Sequence, residues 1–262
     1  MPLHESVQEL TVRPLKALFE MLKYLLTGRG AFSHPLFNIC TFLPTRLLDP
    51  TTSTLLSAPA ADLDASVPAN RPDVEIMHLP YNPFDVDVPV SAAEGGIYAL
   101  IATLLHPASE GTVRLETANP RARPAVDLGF FSNPADYVPL RAAVRFALRV
   151  ARDVRAGGYP LRDLAVPRGA EEGAEGTDGP SDEDLDEFIR AKVRTCLHYT
   201  STCRMGPRAG DSVVDAQLRV HGVRGLRVCD ASVFPEIVGA HTMAAVVMVT
   251  ERCADMIKLA WQ

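Results

Sequence analysis

Two histidines near the C-terminal end of the chain have the residue type needed for proton transfer at neutral pH. His198 begins the segment HYTSTCRMG at 198–206, and His241 begins the tripeptide HTM at 241–243. A neutral imidazole can accept a proton from a reacting hydroxyl because its pKa lies close to the working pH. Residue type alone does not assign that role, since a histidine among apolar neighbours is more often a structural residue of the core.

The two histidines belong to an ordered set of motifs. Between them lie VVD at 213–215, LRVHGV at 218–223 and GLRVCDASVFP at 225–235. This set resembles the C-terminal signature of the glucose-methanol-choline (GMC) family, the choline dehydrogenase-like flavoproteins that oxidise alcohols with FAD. Weaker similarity continues upstream through LHPASEGTVRL at 105–115 and YLLTG at 24–28. The resemblance therefore covers most of the chain.

The resemblance implies an alcohol oxidation in which His198 removes the hydroxyl proton while a hydride leaves the substrate carbon for N5 of the flavin. His241 matches the family's second polar residue, which hydrogen-bonds the substrate oxygen. FAD is the implied cofactor, and a small-molecule alcohol is the implied substrate. Four further residues match positions that contact the flavin in the family: Asp230, Ala231, Thr242 and Met243.

Three of these matches have simpler alternatives, and one further position departs from the family pattern. Asp230 is also compatible with capping a turn, and Thr242 with Met243 is also compatible with an ordinary helix start. Ser201 stands where the family motif has glycine. If that position requires a left-handed backbone, a serine there is strained by about 1 kcal/mol or more.

One motif that such enzymes use is missing from the sequence. No Gly-x-Gly-x-x-Gly occurs in the 262 residues, and in dinucleotide-binding folds this loop places the pyrophosphate at a helix N-terminus. We therefore expect the catalytic and substrate-binding part of an oxidoreductase, with a missing FAD-binding domain as its partner. The alternative is a truncated, non-catalytic product that pairs with a separate flavin-binding chain or has no enzymatic role.

Composition narrows the class of protein. The net charge of −6 and the pI near 5.7 argue against a nucleic-acid binder and against a protein that binds anionic membrane surfaces. No apolar run reaches the roughly 18 residues that predict a membrane span. The five cysteines are irregularly spaced, which predicts buried free thiols and not a disulfide framework.

Other constellations do not form a recognisable site. Cys196, His198 and Cys203 offer three soft ligands, but no fourth ligand follows at zinc-like spacing, so no metal site is predicted. The sequence also lacks the motifs of serine hydrolases and of P-loop nucleotide triphosphatases. The remaining histidines are expected to be structural: His4, His34, His78, His106 and His221.

Hydrophobic periodicity predicts the elements that must position the two histidines. Helices are expected over 14–26, 136–155, 181–193 with Ser181 as N-cap, and 242–259. Strands are expected over 74–79, 97–105, 112–116 and 226–229, the second and third forming an antiparallel pair through a turn at 107–111 in which Gly111 supplies an unusual backbone angle. Residues 50–72 read as an irregular connection and 168–180 as a flexible surface loop.

These elements indicate an α+β fold, with an antiparallel sheet backed by helices. The resemblance implies a division into a substrate-binding domain over residues 1–204 and a C-terminal segment over 205–262 that contributes to the flavin site. In that arrangement the strand ending at Asp230 and the last helix would belong to the FAD-domain side.

Overall fold

The chain folds into two compact units. The computed structural model describes residues 6–33, 39–59, 63–64, 66–81, 95–171 and 179–261. Unit 1 comprises Met1–Leu104 with Tyr137–Arg194, and unit 2 comprises Leu105–Asp136 with Thr195–Gln262. The division at residue 204 that the resemblance implies stays a prediction.

Unit 1 is built on a three-stranded antiparallel sheet in the order β1-β2-β3. Its strands are β1 (Ile39–Leu43), β2 (Val74–Leu79) and β3 (Ala99–Leu104). β2 is the central strand and is buried along almost its whole length, including the charged residue Glu75. In the register, Ile76 lies opposite Thr41 on one side and Ala102 on the other.

Four helices complete unit 1: α1 (Gln8–Val12), α2 (Pro14–Thr27), α3 (Tyr137–Ala156) and α4 (Asp182–Lys192). The helix α3 packs on β2 and β3, and Ala143 contributes to the core cluster formed with Leu43, Leu48, Val74 and Ile76. Helix α2 ends at Gly28, whose φ of 66° is the left-handed angle that glycine adopts without strain.

Helix α4 is fixed at its start and along one side. Ser181 accepts a hydrogen bond from the Asp184 amide at 3.1 Å, and the Asp184 carboxylate accepts from the Ser181 amide, which completes a capping box. Arg141 of α3 donates two hydrogen bonds to the Asp186 carboxylate, at 2.7 and 2.6 Å, so the two helices are joined by a bidentate ion pair.

Unit 2 contains little regular structure. It has a two-stranded antiparallel pair, β4 (Thr112–Arg114) with β5 (Ala125–Asp127), and one long helix, α5 (Met243–Ala260). The rest is held by isolated bridges, among them Met205 with Val214 and Val214 with Val220. Its core cluster brings loop residues onto the helix: Val214, Leu218, Val233, Phe234 and Cys253.

The α+β class is confirmed, whereas the predicted pairing of the second and third strands is wrong. β3 pairs with β2, and β4 pairs with β5 after the proline-containing turn at 115–124. Gly111 is needed for a different reason from the one predicted: a Cβ there would lie 2.3 Å from the Asp127 carbonyl oxygen, so a close backbone approach requires glycine. Strands β1 and β5 were not predicted.

The predicted strand at 226–229 is also absent. This segment forms a short hairpin with 218–220, in which the Val220 amide donates to the Leu226 carbonyl and the Val228 amide donates to the Leu218 carbonyl. A single bridge, Arg219 with Arg227, is too short for a ladder. The apolar alternation predicted a strand, but a strand also requires a neighbour along its length, and this segment has only the one bridge.

The remaining predictions concern loops, cysteines and the membrane. The flexible loop predicted at 168–180 lies partly outside the described residues, at 172–178. The thiols are free, but burial is wrong for most of them: Cys40 is exposed, Cys253 is buried, and the other three are half-buried. Within the described parts of the chain, none of the helices is long and apolar enough to cross a membrane.

Candidate active site

His198 lies in a loop of unit 2 that is secured by backbone hydrogen bonds. The amides of Ser201, Cys203 and Met205 donate to the carbonyls of Ala231, Ser232 and Val233 at 3.3, 2.8 and 2.9 Å respectively. Every second amide from 201 to 205 is thus hydrogen-bonded to one of the three consecutive carbonyls at 231–233. The segment that follows His198 is therefore fixed to the turn that contains Asp230 and Ala231.

His241 comes directly before helix α5, and the structure brings it to His198. The two ring centroids are 5.1 Å apart and the ring planes are perpendicular, so the edge of one imidazole faces the other ring. His198 is half-buried and His241 is exposed. The structure thus brings together the two imidazoles that the resemblance assigns to one substrate hydroxyl, and their roles stay predictions.

Asp230 lies at the start of a single 3-10 turn, Ala231–Val233. One of its carboxylate oxygens accepts a hydrogen bond from the Ser232 amide at 2.8 Å, so the side chain caps this turn. The capping alternative considered from the sequence is therefore realised. Because the residue is exposed and carries a second oxygen, capping is compatible with a ligand contact as well.

Thr242 and Met243 form the start of α5. Thr242 is the N-cap but makes no side-chain capping hydrogen bond, and the Met243 side chain is 78% exposed. The first amides of an α-helix have no intrahelical acceptor and carry the positive end of the helix dipole. This helix start can accordingly receive hydrogen-bond acceptors or negative charge.

The backbone is strained on both sides of His198. Ser201 has a φ of 69°, so the position where the family has glycine does adopt the left-handed conformation. Leu197, directly before His198, has a φ of 61°. Each such residue costs about 1–2 kcal/mol relative to glycine, and strain of this kind is concentrated at functional sites.

Two of the remaining histidines are structural, as expected. His78 shares a hydrogen bond of 2.7 Å with the Tyr98 hydroxyl, and burial lowers the pKa of its imidazole. His221 contacts the Ser212 hydroxyl and the Gly206 carbonyl, each at 3.1 Å. His4 and His34 lie outside the described residues.

His106 is the residue whose position the sequence did not predict. Its ring lies against Gly239, where a Cβ would come within 2.8 Å of Nε2. The segment after it is held by Asp136, whose carboxylate accepts hydrogen bonds from the amides of Ala108 and Ser109 at 2.7 and 3.1 Å. His106 therefore packs on the loop that leads to His241. The only signal in the sequence was its place in the LHPASEG motif.

The residues near the histidine pair fit one part of a dinucleotide cofactor. An exposed carboxylate at Asp230 and an exposed helix start at Met243 suit the polar edge of a flavin ring, which carries both donors and acceptors. A phosphate-binding glycine loop is absent from the sequence. The fit therefore covers the reactive ring of FAD and not its pyrophosphate.

Comparison with known proteins supplies the family. The model of the GMC oxidoreductase family matches residues 107–250. The dehydrogenase str4 of Strobilurus tenacellus is 32% identical over 262 residues, covering 94% of this chain and 41% of that protein. The choline oxidase of Arthrobacter globiformis is 36% identical over 197 residues, covering 73% of this chain and 34% of that enzyme.

Solved structures agree with these matches. Pyridoxine 4-oxidase of Mesorbium loti is similar with a TM-score of 0.59 and 28% identity, covering 71% of this chain and 34% of that one. Formate oxidase of Aspergillus oryzae RIB40, studied for its FAD modification, has a TM-score of 0.74 over 94% of this chain and 42% of that one. At 24% identity the latter likeness shows the fold alone.

The family model, together with a formate oxidase structure at 26% identity that was studied for its FAD modification, indicates FAD as the cofactor of the family. The chain spans less than half the length of each of the four proteins named above. The family model covers more than half of the chain, and it is a model of the C-terminal region. The chain therefore belongs to the GMC oxidoreductase family and corresponds to the C-terminal part of its members.

Proposed function

We propose that this chain is the C-terminal catalytic and substrate-binding part of an FAD-dependent alcohol oxidoreductase. The observation that carries the proposal is the contact between His198 and His241, 43 residues apart in sequence and 5.1 Å apart between ring centroids. Two imidazoles at this separation can both reach one small hydroxyl group. Membership of the GMC family supports the same chemistry.

In the proposed reaction His198 is the base. The substrate hydroxyl gives its proton to an imidazole nitrogen of His198, while His241 holds the substrate oxygen by a hydrogen bond. FAD, when bound, supplies the acceptor for the hydride that leaves the carbon. The start of α5 follows directly after His241, so its dipole stabilises the negative charge that develops on the oxygen as the proton leaves.

Four residues are proposed to contact the flavin: Asp230, Ala231, Thr242 and Met243. Support comes from their position in the same unit as the histidine pair and from the backbone hydrogen bond that joins Ser201 to Ala231. A change in the backbone of the His198 loop would thus displace the residues that are proposed to contact the flavin. A separate FAD-binding domain is proposed to provide the pyrophosphate site, because this sequence contains no glycine loop for it.

A non-catalytic product remains the second candidate, and one observation favours it. Serine at position 201 holds a left-handed φ of 69° where the family motif has glycine, which adds strain beside the proposed base. The two candidates differ in whether alcohols reduce the flavin once a separate FAD-binding chain is supplied, and both require that chain for flavin binding. We expect the 262-residue chain alone not to hold FAD with sub-micromolar affinity, and a fluorescence titration of the flavin measures this directly.

The catalytic role is tested in the protein supplied with an FAD-binding chain of the same family. Anaerobic mixing with a panel of alcohols should bleach the oxidised flavin absorbance. His198→Ala should slow this bleaching about 10²- to 10⁴-fold, the usual contribution of a general base. The matched control is His78→Asn, which retains a hydrogen-bonding group beside Tyr98 and should leave the rate unchanged.

Two results would count against the proposal. Equal bleaching rates in the parent protein and in His198→Ala would remove the base from that residue. Bound flavin that no alcohol reduces would favour the non-catalytic candidate.

A further inference from the structure

Two cysteines of unit 2 lie in one apolar cluster although neither belongs to the proposed reaction. Cys229 immediately precedes Asp230, and Cys253 lies on α5, two to three turns after its start. Cys253 is 4% exposed and Cys229 is half-buried. Both belong to the core cluster around Val214 and Val233.

The contacts of Cys229 place its sulfur against the turn of α5 that ends at Cys253, within one apolar cluster. The Cys229 thiol lies 3.8 Å from the Val249 carbonyl oxygen, one helical turn before Cys253. On an α-helix each side chain tilts toward the N-terminus, so the Cys253 side chain covers the turn that Val249 begins.

We propose that Cys229 and Cys253 are a modification site at which a small peroxide forms an intramolecular disulfide between the 226–229 segment and α5. The proposal rests on the packing of two free thiols and is independent of the proposed alcohol oxidation. Its consequence is a covalent link between the residue next to Asp230 and the last helix. That link would fix the flavin-contact turn onto the helix that begins beside His241.

The step balances with hydrogen peroxide as the oxidant. The Cys229 thiolate attacks one peroxide oxygen, the O–O bond breaks, and the departing hydroxide takes up a proton to give water and a sulfenic acid. The Cys253 thiolate then attacks the sulfenic sulfur, which forms the S–S bond and releases a second water. Two thiols are oxidised by two electrons and one peroxide is reduced. The half-buried Cys229 is assigned the first attack because Cys253 is almost inaccessible.

Burial makes this pair slow to react at neutral pH. Burial, aided by the neighbouring Cys253 thiol and by the charge of Asp230, raises the pKa of the Cys229 thiol to about 11. Cys253 from α5 and Asp230 from its own segment are the titratable groups that act on it, and the other cluster members are apolar. Because only the thiolate reacts, the rate of disulfide formation should rise about tenfold per pH unit from neutral pH toward that value.

Tryptic mass spectrometry tests the proposal, because the two cysteines fall in different peptides, residues 228–252 and 253–258. The folded protein is treated with hydrogen peroxide at increasing pH, and remaining thiols are blocked with iodoacetamide. The expected product is these two peptides joined, with the mass of two hydrogen atoms lost. Dithiothreitol should separate them again.

Variants decide whether the link is specific. Cys203→Ser, which changes another half-buried thiol, should retain the joined peptides, whereas Cys253→Ser should abolish them and leave Cys229 reactive toward dimedone as a sulfenic acid. If Cys253→Ser fails to fold, Cys229→Val provides the same test with an apolar side chain. The proposal is overturned if the link is absent at every pH. It is also overturned if protein unfolded in guanidinium gives the same pairing yield as the folded protein.

Discussion

The two units form their hydrophobic cores from different kinds of structure. Unit 1 uses a sheet of three strands covered by α3, and its largest buried side chains come from regular elements, for example Ile76 and Leu185. Unit 2 has one long helix, and the residues packed on it come from loops and isolated bridges, for example Val214 and Leu218. Both units nevertheless contain side chains that are almost completely buried.

The difference is clearest in the backbone. Five described residues other than glycine have a left-handed φ, and four of them belong to unit 2: Phe131, Leu197, Ser201 and Leu218. Regular elements confine φ to negative values, so a unit made of loops is where strained angles can be accommodated. Two of the four flank His198. Unit 1 thus has one such strained residue, Ser53, whereas unit 2 has four and also contains the residues proposed for chemistry.

The largest effect is expected from truncating the core of unit 1. Leu185 of α4 is completely buried, so Leu185→Ala should reduce the free energy of unfolding by about 2–5 kcal/mol. Leu26→Ala, on α2 of the same unit, is the matched control because that side chain is 84% exposed, and its effect should be within about 0.5 kcal/mol. Urea unfolding measures both. Equal losses of unfolding free energy in the two variants would show that burial of the Leu185 side chain does not account for its contribution to stability.

A smaller loss is expected where α3 and α4 are joined by charge. The Arg141 guanidinium lowers the pKa of the Asp186 carboxyl through its hydrogen bonds, and the Asp186 side chain is 17% exposed. Asp186→Asn should cost about 1–3 kcal/mol at pH 7. Because the pKa is lowered in the folded state, this stability is present above the unfolded value near 3.9 and is lost as the pH falls through the folded value.

Urea unfolding at pH 7 and in acid separates this contribution from others. The difference between the parent chain and Asp186→Asn should disappear in acid. Asp153→Asn is the control on α3, the helix that carries Arg141, since the Arg149–Asp153 pair is more exposed and should contribute less than about 1 kcal/mol. A pH-independent difference for Asp186→Asn would indicate a packing effect and not a charge effect.

The cap of α4 should contribute about 1 kcal/mol. Ser181→Ala removes the acceptor for the Asp184 amide and is expected to lower the unfolding free energy by about 0.5–2 kcal/mol. Ser181→Asp retains a capping oxygen and should recover most of the loss. Thermal unfolding of the three proteins measures the series. An alanine variant as stable as the parent would show that the capping box does not stabilise unit 1.

The smallest effect should have the opposite sign and occur in unit 2. Ser201→Gly relieves a left-handed φ of 69° and should gain up to about 1 kcal/mol after the entropy that glycine adds to the unfolded chain. Ser201→Ala retains the strain and should give no gain. A rise in Tm for glycine alone would confirm that the site is strained. A loss with glycine would instead show that the contact between Ser201 Oγ and Thr200 stabilises the loop.

The elements of unit 1 were largely predictable from the sequence. The bounds of β2 were predicted to the residue, and α2, α3 and α4 to within one or two residues, since periodicity and caps are local signals. The proximity of His198 and His241 followed from the family resemblance, because no local pattern connects residues 43 apart. Strain at Ser201 was predicted on the condition that its backbone is left-handed, and the structure shows a left-handed φ at this residue.

Pairing was much less predictable than the elements themselves. A strand's partner depends on the path of the whole chain, so a turn signal at 107–111 wrongly suggested that β3 and β4 are neighbours. The apolar segment 226–229 forms only a short hairpin and not the predicted strand. His106 was assigned only an ordinary structural role from the sequence. Its contact with Gly239 could not be predicted, because it joins residues more than a hundred positions apart.

The alternating hydrogen bonds after His198 impose a constraint on length. The amides at 201, 203 and 205 meet three consecutive carbonyls at 231–233, so every second residue in this stretch is committed to the turn. Side chains between these positions can change without breaking the pattern, because the donors belong to the backbone. Inserting or deleting one residue between positions 201 and 205 would put the wrong amides toward the turn. In descendants of this sequence, substitutions should therefore accumulate here while the number of residues stays fixed.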